Sequence, residues 1–293
     1  MPNWNQVLRE VSASPLDNAR RKYLQELSDR TSRNIICYYS GWLQKPNSYN
    51  ASIHDDDKNG LMAAVHGLDR SKGLDLVLHT PGGDLAATES IVNYLRSMFG
   101  TNIRAIIPQI AMSAGTMIAC SAKEILMGKQ SNIGPIDPQF GGIPAHGVIE
   151  EFNKAVEEVK KDPGSIPIWQ TVVQKYHPTF LGECEKAIKL SSEMVTNWLV
   201  TGMFENDSAA QQKAGAIVDA LNNHEDTKTH ARHIHIEQAI RLGLKIVPLE
   251  EDQDLQDLTL TVHHAYMHTL ANSAAIKIIE NHKGNAIIQN LAN

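Results

Sequence analysis

Ala105 to Ala122 reads AIIPQIAMSAGTMIACSA, and the reading of this stretch decides the fold. It carries no charge and is about as long as a bilayer-crossing helix, so hydropathy alone would make it a membrane span. Pro108, Gln109, Ser113, Gly115, Thr116 and Ser121 interrupt it, and Pro108 divides it into a short strand and a following helix. We read a buried strand over Ile103 to Ile107, a turn, and a helix over Ala114 to Ala122 whose residues are small or apolar on every face. A helix apolar all round must be buried.

Outward from there the pattern repeats. Ile35 to Tyr39 and Leu74 to His79 (LDLVLH) are compact apolar runs suited to buried strands. The second ends at Thr80-Pro81-Gly82-Gly83, after which Asp84 can cap a helix that has Leu85, Ile91, Val92, Leu95 and Phe99 on one face. Residues 4–30 and 60–69 read as helices and Glu124 to Met127 as a fourth strand. His235 to Leu249 gives a further helix–strand step, and 254–282 a long helical segment. Strands separated by single helices imply an α/β fold with a largely parallel sheet, and such sheets bind ligands at the C-terminal ends of their strands. Gly82-Gly83 and Ser113 both fall there. The predicted organisation is an N-terminal helical segment over 1–30, an α/β domain over 31–250 and a helical C-terminal extension over 251–293.

The chain has 293 residues, 42% of them hydrophobic and 20% charged, with a net charge of -6. That balance describes an ordinary globular protein and gives no electrostatic reason to expect nucleic acid as a partner. Cys37, Cys120 and Cys184 form no CxxC pattern, so neither a disulfide framework nor a cysteine zinc site is expected, and a reducing cytoplasm is the simplest compartment. The N-terminus mixes charges and lacks the apolar core of a signal peptide. His230, His233 and His235 form one histidine cluster, and His263, His264 and His268 another. The pair at 264 and 268 has chelating spacing, but no carboxylate or cysteine completes a site, so no metal and no cofactor is expected.

Acyl transfer needs a nucleophile on a sharp turn, donors aimed at the developing oxyanion, and a base for the nucleophile's proton. Ser113 stands between a strand and a buried helix, so its hydroxyl projects where the helix starts, beside the Ala114 amide. Gly82 and Gly83 let the neighbouring turn expose its amides with no Cβ in the way. Alone, such a serine reads as a helix cap and such a diglycine as a tight turn. Their conjunction on consecutive strand ends is what points to catalysis.

Three motifs, Thr80-Pro81-Gly82-Gly83-Asp84, Ala111-Met112-Ser113-Ala114-Gly115-Thr116 and Ser131-Asn132-Ile133-Gly134-Pro135-Ile136-Asp137-Pro138-Gln139, resemble those of the serine dehydrogenase proteinase family. Its wider relatives are signal peptide peptidase A, the membrane-bound NfeD-type proteases and the Clp proteolytic subunit. The resemblance covers about residues 74–142, with a weaker match from Glu237 to Leu244. It implies a Clp-protease/crotonase-like fold, a serine peptidase acting on peptide or protein substrates without a cofactor, and assembly into a homo-oligomer. Carried onto this chain, it makes Ser113 the nucleophile and gives the oxyanion hole to the amides of Gly82 or Gly83 and of Ala114.

The base does not follow as directly, because the relatives use either a histidine–aspartate pair or a lysine. The position of the Clp-type histidine is occupied near Asp137, and the position of its acidic partner falls at His230, Ala231 and Arg232. A triad of the Clp type is therefore disfavoured. In the lysine-dyad relatives the base lies on the helix after the third motif, which makes Lys154 the leading candidate, His146 the second and Asp137, as an orienting residue, the third. On that helix Val148, Phe152, Ala155 and Val159 form the apolar stripe. Lys154 falls opposite them, one turn from both Glu150 and Glu158. A lysine that accepts a proton must be neutral, which burial favours and neighbouring carboxylates oppose. Two other readings are a non-catalytic scaffold that kept the fold without a competent base, and crotonase-like acyl-CoA chemistry. The serine at the helix start argues against the second.

Overall fold

The computed structural model describes residues 7, 16–46, 48–222 and 230–291. In chain order the first elements are α1 (Leu16–Thr31), β1 (Asn34–Ser40), α2 (Asp57–Val65), β2 (Leu74–His79), α3 (Leu85–Phe99), β3 (Ile103–Ile107), β4 (Ile110–Ala111), α4 (Ala114–Cys120) and β5 (Glu124–Met127). Then come β6 (Asn132–Ile133), β7 (Gln139–Phe140), β8 (Ile143–Pro144), α5 (Ala145–Lys161), α6 (Ile166–Val173), α7 (Phe180–Trp198) and α8 (Ala210–Asn222). The chain finishes with β9 (Ile234–His235), α9 (Ile236–Arg241), β10 (Ile246–Pro248), α10 (Gln253–Asn272), β11 (Ala275–Asn281) and β12 (Ala286–Asn290).

A 7-stranded sheet in the order β10-β5-β3-β2-β1-β11-β12 forms the centre. Its pairs from β10 through β1 are parallel, and β11 and β12 close one edge antiparallel. The fold is thus the largely parallel α/β architecture the strand pattern predicts. Period-two alternation divides each strand between two cores. Ile36, Tyr38, Leu74, Leu76, Leu78, Ile103, Ala105 and Ile107 pack with α3 and α4 on one face. Ile35, Cys37, Tyr39, Val77 and Ile106 pack with α1 and α10 on the other. Strands covered on both faces must be nearly continuous apolar runs, which is why LDLVLH and IRAII were legible. A 3-stranded sheet, β4-β6-β9, sits apart from this sheet and carries the chain around the serine turn.

The helix of small residues is a buried element, since every residue of α4 is buried. Among the described residues no helix is long and apolar enough to cross a membrane. Asp84 caps α3 by accepting a hydrogen bond from the Ala87 amide. The helix expected over 254–282 ends instead at Asn272, and Ala275–Asn281 is a fully buried strand paired with β1. The central sheet needs a partner for that edge of β1, and the apolar alternation around Lys277 and Glu280 supplies one. Both charges are neutralised locally. Lys277 meets Asp57, and Glu280 meets Arg20, Arg21 and Tyr266. Residues 251–293 therefore complete the central sheet as well as adding a helix. The N-terminal helix expected from residue 4 is described only as α1, and apart from Val7 its part before residue 16 lies outside the described residues.

Candidate active site

Backbone pairing brings the two turns together before any side chain acts. Past the end of β2, Thr80 donates its amide to Ile110 O at 3.2 Å and accepts from the Met112 amide at 3.0 Å, forming a parallel bridge with Ala111. The Ser113 turn is thereby laid alongside the diglycine turn. Gly82 has φ of 100°, and a Cβ there would lie 2.7 Å from Ser113 Cβ and 3.0 Å from the Ala114 nitrogen. At Gly83 a Cβ would fall 2.3 Å from the backbone of Ile53, whose amide donates to Gly82 O at 2.8 Å. Only residues without a Cβ permit both approaches.

Ser113 itself has φ 52° and ψ -117°, a backbone conformation that costs an L-residue on the order of 1–3 kcal/mol. The surroundings enforce it. The Gly115 amide donates to Met112 O at 2.8 Å, the Thr116 hydroxyl donates to Ala111 O at 2.9 Å, and the Gly134 amide donates to that hydroxyl at 2.9 Å. The third motif, through Gly134, therefore helps hold the serine turn in its strained form. The Ser113 side chain makes no capping bond to α4, so it does not serve as an ordinary helix cap.

The amides around this turn are not equivalent. Gly82 donates to Thr80 Oγ1 at 3.2 Å and Asp84 donates to Ile53 O at 2.9 Å. Among the described residues, the Gly83 and Ala114 amides have no such acceptor. Ser113, Ala114, Gly82 and Gly83 all line one cleft of about 770 Å³, walled by the β7–β8 hairpin and by Lys186 and Leu190 of α7.

The candidates for the base are dispersed. Lys154 does not line the cleft: its side chain is 67% exposed and lies 3.8 Å from Glu158. The expectation that Lys154 reaches Ser113 is thus corrected, because α5 buries Val148 and Ala155 and turns the opposite face to solvent. His146 also lies outside the cleft lining, its Nε2 3.3 Å from Asn222 Oδ1. Asp137 is buried, 1% exposed, and its Oδ1 lies 2.8 Å from Nδ1 of His230, a residue that does line the cleft. Sequence reasoning noted His230 only as the occupant of an acidic position. The exchange of residue types at two distant positions was the signal that could have singled it out.

His79, at the end of β2, is walled in by Trp42, Tyr39 and His263, and neither ring nitrogen has a partner. Burial pushes it down to about 3, so it stays neutral under ordinary conditions. His263 is pushed down by the same cause. These two are core residues beneath the diglycine turn. Among the described residues no group of three or more His, Cys, Asp or Glu is placed to hold a metal ion.

A largely parallel α/β sheet whose strand ends bring a strained serine turn against a diglycine turn has the architecture of the Clp-like proteases. The family described as ClpP-like SDH-type serine proteinase matches residues 8–259, and the chain belongs to it. Similar proteins include two from Methanocaldococcus jannaschii, described as the uncharacterized proteins MJ0137 and MJ1495. The first is 30% identical over 242 residues, covering 81% of this chain and 76% of its own length. The second is 29% identical over 191 residues, covering 65% and 58% respectively. Among solved structures, an alanine mutant of the 1510-N membrane-bound stomatin-specific protease aligns over 71% of this chain and 79% of its own, at 16% identity and a TM-score of 0.40.

Proposed function

We propose that the protein is a serine peptidase in which Ser113 attacks the scissile carbonyl to form an acyl-enzyme. The observation that carries this is the contact of the diglycine turn with the strained Ser113–Ala114 elbow inside one cleft. The Ala114 amide and the Gly83 amide form the oxyanion hole, because the Gly82 amide is already held by Thr80 Oγ1. Rigid amides aimed at the developing oxyanion stabilise the transition state, and losing one such donor typically slows an enzyme about 10²–10³-fold. Gly82 serves by its shape, admitting the elbow, more than as a donor. The substrate is a peptide segment, which the open cleft and its hairpin wall can accommodate.

A fluorophosphonate probe tests the reading. Labelling of the parent that vanishes in Ser113→Ala, together with loss of turnover on an unstructured protein such as casein, is the expected outcome. A parent chain that neither labels nor turns over in any oligomeric state would favour the scaffold reading. Assembly into a homo-oligomer belongs to the same proposal. It is supported by the family resemblance and by the exposed apolar side chains Val156, Ile166 and Ile168 on α5 and α6, and light scattering measures it directly.

A further inference from the structure

The geometry points to His230 as the general base for Ser113, with Asp137 as the residue that positions it. This rests on the Ser113 reading above. His230 lines the same cleft as Ser113, and its side chain is 20% exposed, open enough to meet a substrate. Its Nδ1 lies 2.8 Å from Asp137 Oδ1. A carboxylate can only accept, so Nδ1 carries the proton and Nε2 is the lone-pair nitrogen, the tautomer a base requires. Asp137 is held in the third motif, the segment that also braces the serine turn through Gly134 and Thr116. Its Oδ2 is buried with no partner among the described residues, so the imidazole is the group that offsets the burial of this carboxyl.

The other titratable groups lining the cleft are His54, Asp84 and Lys186. Each fails on its own surroundings. Asp84 is spent on capping α3. Lys186 is exposed, without the burial that would make a lysine neutral. His54 Nε2 stands 3.9 Å from Asp57, beyond hydrogen-bond reach, and that carboxylate is already engaged by Lys277 and Tyr38. His230 alone combines access to the cleft with a buried acidic partner. The acid and the imidazole occupy the two positions of the Clp-type pair in exchanged order along the chain. Exchange is tolerated because the chemistry depends on which atoms meet, not on which segment supplies them.

The step balances without any further reactant. As Ser113 Oγ bonds to the carbonyl carbon, its proton passes to His230 Nε2. When the tetrahedral adduct collapses, the C–N bond breaks and that proton goes to the departing amine. Water then attacks the acyl-enzyme, giving one proton to Nε2 and its hydroxyl to the carbonyl, and the proton returns to Ser113 Oγ as the ester bond breaks.

The test compares Ser113→Ala, His230→Gln, Asp137→Asn, Lys186→Gln and His54→Gln in the full chain. It reads the fluorophosphonate labelling rate, kcat and KM on a fluorogenic peptide, and the melting temperature. Loss of the base should lower kcat about 10²–10⁴-fold in His230→Gln with KM and melting temperature near parent values. Asp137→Asn should lower kcat and also move the acidic limb of kcat/KM to lower pH, since the carboxylate no longer favours the imidazolium. A structural role alone would not move that limb, and an unshifted profile overturns the positioning assignment. If Ser113→Ala abolishes turnover while His230→Gln stays within about threefold of the parent, the base proposal is refuted and the peptidase reading survives. Loss in Lys186→Gln or His54→Gln instead names a different base. Turnover or labelling that persists in Ser113→Ala, or is absent from the parent, overturns both.

Discussion

Adding one methyl group at Gly82 should disable the site out of proportion to its effect on the fold. A Cβ built there lies 2.7 Å from Ser113 Cβ, whereas ordinary van der Waals contact begins at 3.4 Å, so the elbow must retreat by at least 0.7 Å. The Met112 carbonyl oxygen, at 2.8 Å, blocks the alternative movement along the turn. A misplacement approaching 1 Å in a catalytic geometry costs on the order of 10²-fold in rate, and Gly82→Ala should lose at least that in kcat. The φ of 100° adds backbone strain of roughly 1–3 kcal/mol to the stability loss. Gly100→Ala is the matched control. Its φ is also positive, 61°, but nothing lies within 4 Å of the added Cβ, so it should lose about 1 kcal/mol and keep its turnover. Paired urea melts and peptide turnover separate the two effects. Equal kcat in Gly82→Ala and Gly100→Ala would refute the contact between the two turns on which the site depends.

Three further outcomes follow from particular groups. Lys154→Ala should keep turnover near the parent level, because the ammonium lies outside the cleft beside Glu158, and a large loss of kcat would contradict that placement. Asp57→Ala should cost about 3–5 kcal/mol in urea melts, since it leaves the buried Lys277 ammonium uncompensated and also strips the Tyr38 hydroxyl of its acceptor. A loss below about 1 kcal/mol would mean the cluster is solvated. His79 is held at about 3 against an ordinary 6.5, so between those values the unfolded chain binds a proton that the folded chain refuses. Stability therefore falls as pH drops from 6.5, by about 2 kcal/mol at pH 5 from this group, and His79→Leu should lose correspondingly less between pH 7 and pH 5. Identical losses in parent and variant would remove His79 as the cause.

The strands Leu74–His79 and Ile103–Ile107 were legible to the residue because burial on both faces demands unbroken apolar runs of short length. The last strands were not. Ala275–Asn281 carries Lys277 and Glu280, and nothing local reveals that Asp57 and Arg20 wait to neutralise them 220 and 260 residues away. Lys154 could be set on the wrong side only by locating the cleft, although its acidic neighbours already hinted at a solvated face.

What the sequence determined by itself was the pair of turns. Gly82, Gly83 and Ser113 follow apolar strands whose pattern is short-range, and the backbone there has few alternatives. What only the tertiary structure decided was the company those turns keep. That includes which amides remain unpaired, which face of α5 meets water, and the meeting of Asp137 with His230 across 93 residues. Such pairings depend on where whole elements pack, and a side chain's identity carries no record of that distance.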